Sequence, residues 1–161
     1  MSRNTPVEGY TRVVRILGLD VGDVRIGMAL SDETATLATA LPTFERIGPR
    51  KDVKAMAALA REHEVAEVVV GLPRTLAGEI GPQAEKVLAF VEDLKRSVSV
   101  AVVSWDERFT TSMATQALIE GGVSRKNRKG LVDRVAAVLI LQSYLDSRKV
   151  ADARPEETKL A

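Results

Sequence analysis

The chain of 161 residues contains no cysteine and a single histidine, His63. The lack of cysteine excludes a thiol nucleophile, a disulfide framework and a cysteine-ligated zinc site. One histidine is too few for a zinc motif built on a histidine pair. If the chain is an enzyme, its chemistry is therefore expected to rest on carboxylates, hydroxyls, Lys or Arg, with oxygen-liganded metal ions as cofactors.

Long apolar runs are also missing from the sequence. No apolar run reaches the length of about 18 residues that a transmembrane helix needs, and the polar N-terminus lacks the apolar stretch of a signal peptide. We therefore expect a cytoplasmic protein that does not bind membranes. Composition and periodicity favour one domain over residues 12–147, with flexible tails at 1–11 and 148–161. A domain of this size can bury a sufficient core alone.

Hydrophobic periodicity and turn residues predict the order β-β-β-α-β-α-β-α-α. The strands are expected at residues 13–19, 26–31, 36–44, 65–70 and 98–103, and the helices at 51–64, 82–96, 111–120 and 131–145. Pro42 interrupts the third strand. Three closely spaced strands followed by alternating helices and strands predict an α/β fold. Its mixed five-stranded sheet combines an antiparallel meander with two parallel strands, flanked by helices on both faces.

Acidic residues stand where such a sheet would place a ligand, beyond the carboxyl ends of its strands. Asp20 ends the first strand and shares the core-facing side of that strand. Asp106 and Glu107 end the last strand, and because side chains alternate, only one of the two can face the same site as Asp20. Asp133 begins an apolar helix, with Ala136, Ala137 and Ile140 as helical neighbours. Each acid alone would be read as a turn or helix-start residue.

Asp20, Asp133 and whichever of the two strand-end acids faces them together predict a metal site. Clustered carboxylates repel one another, and a hard divalent cation with oxygen ligands relieves that repulsion. Mg²⁺ or Mn²⁺, as one or two ions, would then activate a water for attack on a phosphodiester. This chemistry needs neither cysteine nor histidine.

Basic residues are numerous although the net charge is only +1. Residues 124–130 carry four positive charges and no acid directly before the Asp133 helix, and we expect them to form a phosphate-binding loop. Aromatic residues make up only 4% of the chain, so a broad base-stacking platform is not expected. The candidate phosphate contacts are Arg25, Arg74, Arg108, Arg125, Lys126, Arg128 and Lys129.

The chain resembles the YqgF/RuvX family of pre-16S rRNA nucleases and Holliday-junction resolvases, from about Val14 to Asp146. The resemblance rests on the order and spacing of Gly18-Leu19-Asp20-Val21-Gly22, Arg25-Ile26-Gly27, Gly71-Leu72-Pro73, Trp105-Asp106-Glu107-Arg108, Gly122-Val123-Ser124 and Asp133. It implies an RNase H-like fold. It also implies that Asp20, Glu107 and Asp133 are the catalytic, metal-binding carboxylates. No acid follows Asp133 by one helical turn to serve as a fourth ligand.

The resemblance leaves the nucleic-acid substrate open. The family is linked to 5′-end processing of pre-16S rRNA and to cleavage of branched DNA, and resolution of a four-way junction would call for a homodimer that makes two symmetric cuts. A non-catalytic module that binds nucleic acid or the ribosome is an alternative of another class. An ATP-dependent kinase or chaperone-type ATPase shares the core fold, but 161 residues are too few for its two domains.

Overall fold

The computed structural model describes residues 13–74, 77–107 and 125–152, with side chains described over 135–148 of the last helix. The strands are β1 (Ile16–Val21), β2 (Arg25–Ser31), β3 (Ala38–Glu45), β4 (Glu67–Leu72) and β5 (Ala101–Asp106). The helices are α1 (Pro49–Glu62), α2 (Pro82–Ser97) and α3 (Arg125–Asp152). Among the residues so described, no helix is both long and apolar enough to cross a membrane.

The five strands form one mixed sheet in the order β3-β2-β1-β4-β5. β1 pairs antiparallel with β2, and β2 pairs antiparallel with β3. β4 lies parallel to β1 and to β5. The predicted meander with two added parallel strands is thus confirmed. The carboxyl ends of β1, β4 and β5 lie at the same edge of the sheet.

Helices cover both faces of the sheet, because alternate strand residues are apolar on both sides. Leu17 and Leu19 of β1 belong to the core on the side of α1 and α2. Ile16 and Val69 belong to a second cluster, on the side of α3, which packs Ile140 and its neighbours against the strands. A polar side chain on this second side, at the carboxyl edge, therefore faces α3.

Pro42 lies inside β3 rather than ending it. A missing backbone N–H is tolerated there because β3 is an edge strand. The β2–β3 register shifts between Ile26 and Met28, which pair with Phe44 and Leu41. Gly27 therefore lies opposite an irregularity in the ladder.

The last helix is longer than expected at both ends. Arg125, Lys126, Arg128 and Lys129 belong to its first turns, so the expectation of a basic loop at 124–130 was wrong for residues 125–130. Lys and Arg are strong helix formers, and an isolated Gly130 costs only about 1 kcal/mol. At the other end α3 continues to Asp152. The predicted helix at 111–120 and the far tails lie outside the described residues.

Candidate active site

Asp20 lies near the carboxyl end of β1, on the side of the sheet that α3 covers. Ile16 of the same strand face packs against α3. Gly18, between them on that face, approaches the helix so closely that an added Cβ would lie 2.8 Å from Leu141 Cβ. Strand alternation gives Asp20 the same orientation, and its side chain is half-buried. The carboxylate thus stands at the rim of the sheet–helix interface.

The pairing of β5 with β4 distinguishes Asp106 from Glu107. Gly71 pairs with Trp105, which packs in the second cluster, on the side of α3. Leu72 pairs with Asp106. Glu107 N donates to Leu72 O at 3.2 Å, so the strand geometry extends one residue further. Since Trp105 faces α3, alternation turns Asp106 away and returns Glu107 to that side. Of the two acids, Glu107 therefore shares the face of Asp20.

Gly71 of β4 makes the space that Glu107 occupies. A Cβ added at this position would overlap Glu107 Oε2 and would lie 2.5 Å from Ile140 Cδ1. Any larger residue would force the carboxylate or α3 to move. The glycine is thus required by the close approach of three elements rather than by its backbone angles.

The Glu107 carboxyl is held in an environment that opposes its ionisation. It is only 8% exposed, and its Oε2 has no hydrogen-bond partner among the described residues. Burial, followed by the negative charges of Asp20 and Asp106, raises the pKa of Glu107 to about 8. A buried oxygen without a donor and two neighbouring negative charges are what a bound cation would compensate. Oxygen ligands of this kind suit Mg²⁺ or Mn²⁺.

The third predicted acid, Asp133, lies in α3, one turn before Ala137 and two turns before Ile140. Its side chain falls outside the described part of the helix. Within the described side chains, no group of three His, Cys, Asp or Glu residues has metal-binding geometry. The described part of the site therefore contributes two facing acids, Asp20 and Glu107.

Two of the predicted phosphate contacts lie at the same edge of the sheet. Arg74 follows β4, is 37% exposed, and its Nε lies 4.0 Å from Asp106 Oδ2. Arg25 begins β2, and its carbonyl accepts a hydrogen bond from Gly22 N at 2.8 Å. Arg108 lies outside the described residues, as do the side chains of Arg125, Lys126, Arg128 and Lys129.

Sequence reasoning did not single out Arg46 and Asp52. Arg46 follows β3, and its guanidinium joins the buried Asp52 carboxylate to the carbonyl of Gly22, just beyond Asp20. An acid in the first turn of α1, four residues after Gly48, was the available signal. It was missed because such an acid is usually a helix-dipole partner in solvent.

A mixed sheet in this order, with acids at the ends of its first and last strands facing a long helix, is the arrangement expected of an RNase H-like nuclease. A family model described as RuvX, Holliday junction resolvase, matches residues 14–147. The chain belongs to this RuvX family.

Curated relatives cover most of the chain. A Thermoanaerobacter pseudethanolicus protein named "Putative pre-16S rRNA nuclease" is 48% identical over 137 residues, which is 84% of this chain and 99% of that protein. A protein of the same name from Caldanaerobacter subterraneus is 50% identical, with the same two coverages. Similarity of this extent makes the chain a nuclease of this family.

Solved structures show the same fold at low sequence identity. The Thermus thermophilus RuvC bound to a Holliday junction substrate aligns with a TM-score of 0.55 at 13% identity, over 85% of this chain and 96% of that one. The Fowlpox virus resolvase bound to Holliday junction DNA also aligns with a TM-score of 0.55, at 14% identity over 84% and 99% of the two chains. The RNase H-like fold inferred from the sequence is thereby confirmed.

Proposed function

We propose that the chain is a divalent-metal-dependent endonuclease whose ion is held by Asp20, Glu107 and Asp133. The observation that supports a metal ion is Glu107 Oε2, which is buried beside Asp20 and has no hydrogen-bond partner in the described part of the chain. A bound Mg²⁺ or Mn²⁺ would supply a nucleophilic water at neutral pH and neutralise charge developing on the phosphate. One or two ions fit the proposal, since Mg²⁺ commonly uses one or two carboxylates together with phosphate oxygens.

The residues of the chain would act by binding and orientation. Asp20 and Glu107, fixed at the ends of two strands of one sheet, would hold their oxygens at a constant spacing. Arg74, Arg25 and Arg108 would contact phosphates on either side of the scissile bond. Arg125, Lys126, Arg128 and Lys129 would extend that contact along α3, at positions just before Asp133 on the helix. Backbone contacts of this kind recognise nucleic-acid shape rather than sequence.

The substrate we favour is structured RNA at the 5′ end of pre-16S rRNA, in the cytoplasm. The names of the curated relatives at 46% to 50% identity support this choice. A four-way DNA junction is the second candidate. The family description and the two resolvases bound to junction DNA support it. That activity would need a homodimer.

A cleavage assay with two labelled substrates tests the proposal. Wild type, Asp20→Asn and Asp23→Asn are each offered a 5′-extended 16S precursor and a four-way junction, with Mn²⁺, Mg²⁺ or a chelator. Asp23 is a matched control, because it lies three residues after Asp20 but is exposed and pairs with Lys86 at 3.5 Å.

We expect wild type and Asp23→Asn to cleave only with metal, and Asp20→Asn to lose at least about 100-fold in kcat without a fall in its urea midpoint. Full activity of a folded Asp20→Asn protein would refute the assigned site. Metal-independent binding without cleavage of either substrate would instead indicate a non-catalytic module. A protein that remains monomeric on the junction would exclude resolution by paired cuts.

A further inference from the structure

Arg46 binds the turn that follows Asp20 through both its main chain and its side chain. This β1–β2 turn, residues 22–24, has its two outer carbonyls bound by Arg46. Arg46 N donates to Val24 O at 2.9 Å, and Arg46 Nη1 donates to Gly22 O at 2.9 Å. Gly22 N in turn donates to Arg25 O at 2.8 Å, which closes the turn.

The guanidinium of Arg46 is itself held from two further directions. Its Nε donates to Asp52 Oδ2 at 2.9 Å, and its Cζ lies 5.8 Å from the centre of the Phe90 ring. The Asp52 side chain is only 1% exposed, and Oδ1 accepts from the amides of Ile47 at 2.8 Å and Gly48 at 3.3 Å. A planar guanidinium can donate to Asp52 and Gly22 through its N–H groups while it lies over the Phe90 ring. An ammonium group could not make all three contacts at once.

The sheet is irregular at the point where this support acts. Asp20 pairs with Gly27 of β2. On its other side Gly27 lies in the register shift between β2 and β3. The hairpin end that carries Asp20 therefore receives weaker backbone support from β3. Arg46, the first residue after β3, holds that same hairpin end through its side chain.

We propose that Arg46, oriented by Asp52, is a positioning residue of the active site: it fixes the β1–β2 turn and so the place of the Asp20 carboxylate. This inference rests on the proposed function for its catalytic consequence, but not for its structural part. A displacement of about 1 Å in a catalytic group can cost about 100-fold in rate. Arg46 would therefore affect the reaction without touching the substrate.

The chain offers a closely matched control in Arg148. Arg148 Nη1 also pairs with a carboxylate, Glu67 Oε2 at 3.2 Å, and its Cζ also lies over an aromatic ring, 5.9 Å from the centre of Tyr144. It joins α3 to the first residue of β4, at the opposite edge of the sheet. Arg46→Met and Arg148→Met therefore remove similar interactions at different distances from Asp20.

Three measurements on full-length wild type and the two variants test the inference. They are amide hydrogen exchange of Gly22 and its neighbours, Mn²⁺ affinity by calorimetry, and kcat and KM on the cleaved substrate. We expect Arg46→Met to accelerate exchange in the turn at least tenfold, to weaken Mn²⁺ binding about tenfold, and to lower kcat about 10- to 100-fold with KM unchanged. Arg148→Met should alter none of these near Asp20.

Unchanged exchange in the turn and unchanged Mn²⁺ affinity in Arg46→Met would overturn the inference. So would a raised KM with normal kcat, which would make Arg46 a phosphate contact instead. If Arg46→Met does not fold, Asp52→Asn replaces it. The asparagine keeps an acceptor for the Ile47 and Gly48 amides but loses the charge that orients Arg46, so the same shifts are expected at smaller size. If wild type cleaves nothing, the proposed function fails, while the exchange and Mn²⁺ measurements still decide the role of Arg46.

Discussion

Replacing Glu107 by glutamine should make the metal-free protein more stable and should abolish the proposed ion binding. The carboxyl is 8% exposed, and no described residue donates a hydrogen bond to its Oε2. Burial and the charges of Asp20 and Asp106 raise its pKa from 4.5 to about 8. The glutamine amide has nearly the same shape but carries no charge, so the variant removes the repulsion and leaves the packing against Gly71 intact.

The size of the effect follows from the shift in the pKa of Glu107. Each pKa unit corresponds to about 1.36 kcal/mol, so a carboxyl that titrates near pH 8 rather than 4.5 lowers the free energy of unfolding by on the order of 3 to 5 kcal/mol above pH 8. Between these pH values the unfolded chain releases a proton that the folded chain keeps. Stability therefore falls as pH rises through this window, and below pH 4 the group contributes nothing.

Urea unfolding in the presence of a chelator, at pH 4, 6, 7.5 and 9, measures the difference. Glu107→Gln should match wild type at pH 4 and exceed it by on the order of 3 kcal/mol at pH 9, or roughly 10 °C in Tm. Glu62→Gln, at an exposed position near the end of α1, is the control and should run parallel to wild type. Adding Mn²⁺ should reverse the order, because only wild type gains binding free energy. A Glu107→Gln curve parallel to wild type at all pH values would refute the electrostatic argument.

Further predictions follow from the same packing and charges. Mn²⁺ binding at pH 7 should release a proton from Glu107, because a pKa of about 8 keeps this carboxyl mostly protonated without metal. Calorimetry in two buffers of different ionisation enthalpy measures the released proton. Equal binding heats in the two buffers would contradict the prediction. Gly71→Ala should weaken Mn²⁺ binding at least tenfold because its Cβ would overlap Glu107, whereas Gly18→Ala, crowding Leu141, should cost about 1 to 3 kcal/mol of stability with a smaller change in affinity. Burial opposes ionisation of Asp52, but hydrogen bonds from Ile47, Arg46 and Gly48 outweigh burial and lower the pKa of Asp52. The ionised carboxylate therefore stabilises the fold at neutral pH, and this contribution is lost on acidification. In urea titrations, Asp52→Asn should accordingly lose less stability than wild type between pH 7 and pH 3.

Local sequence patterns were sufficient for the sheet because each strand is short, apolar and bounded by turn residues. They also put Asp20 on the enclosed face, since alternation along one strand is a local property. They could not choose between Asp106 and Glu107. That choice depends on the register of β5 against β4 and on the space beside Gly71, both of which are long-range facts.

The basic segment and Arg46 show two other limits of sequence reasoning. Residues 125–130 were expected to form a loop because a dense positive charge usually stays in solvent, yet Arg and Lys also favour helices, and α3 begins there. Arg46 resembled any charged residue after a strand. Its importance comes from Asp52, six residues later and buried in the first turn of α1, and from a carbonyl 24 residues earlier.

The two buried acids of the described chain explain why one kind of residue serves opposite purposes. Asp52 and Glu107 are 0% and 8% exposed. Asp52 is surrounded by donors, so its charge is satisfied inside the protein and ties α1 to the β1–β2 turn. Glu107 has neighbouring negative charges and an oxygen to which no described residue donates, so its charge destabilises the fold unless a bound group compensates it. Local rules of stability are commonly violated where a protein binds or reacts. The contrast between the two acids therefore separates the carboxylate that supports the turn beside Asp20 from the one whose charge the proposed cation would compensate.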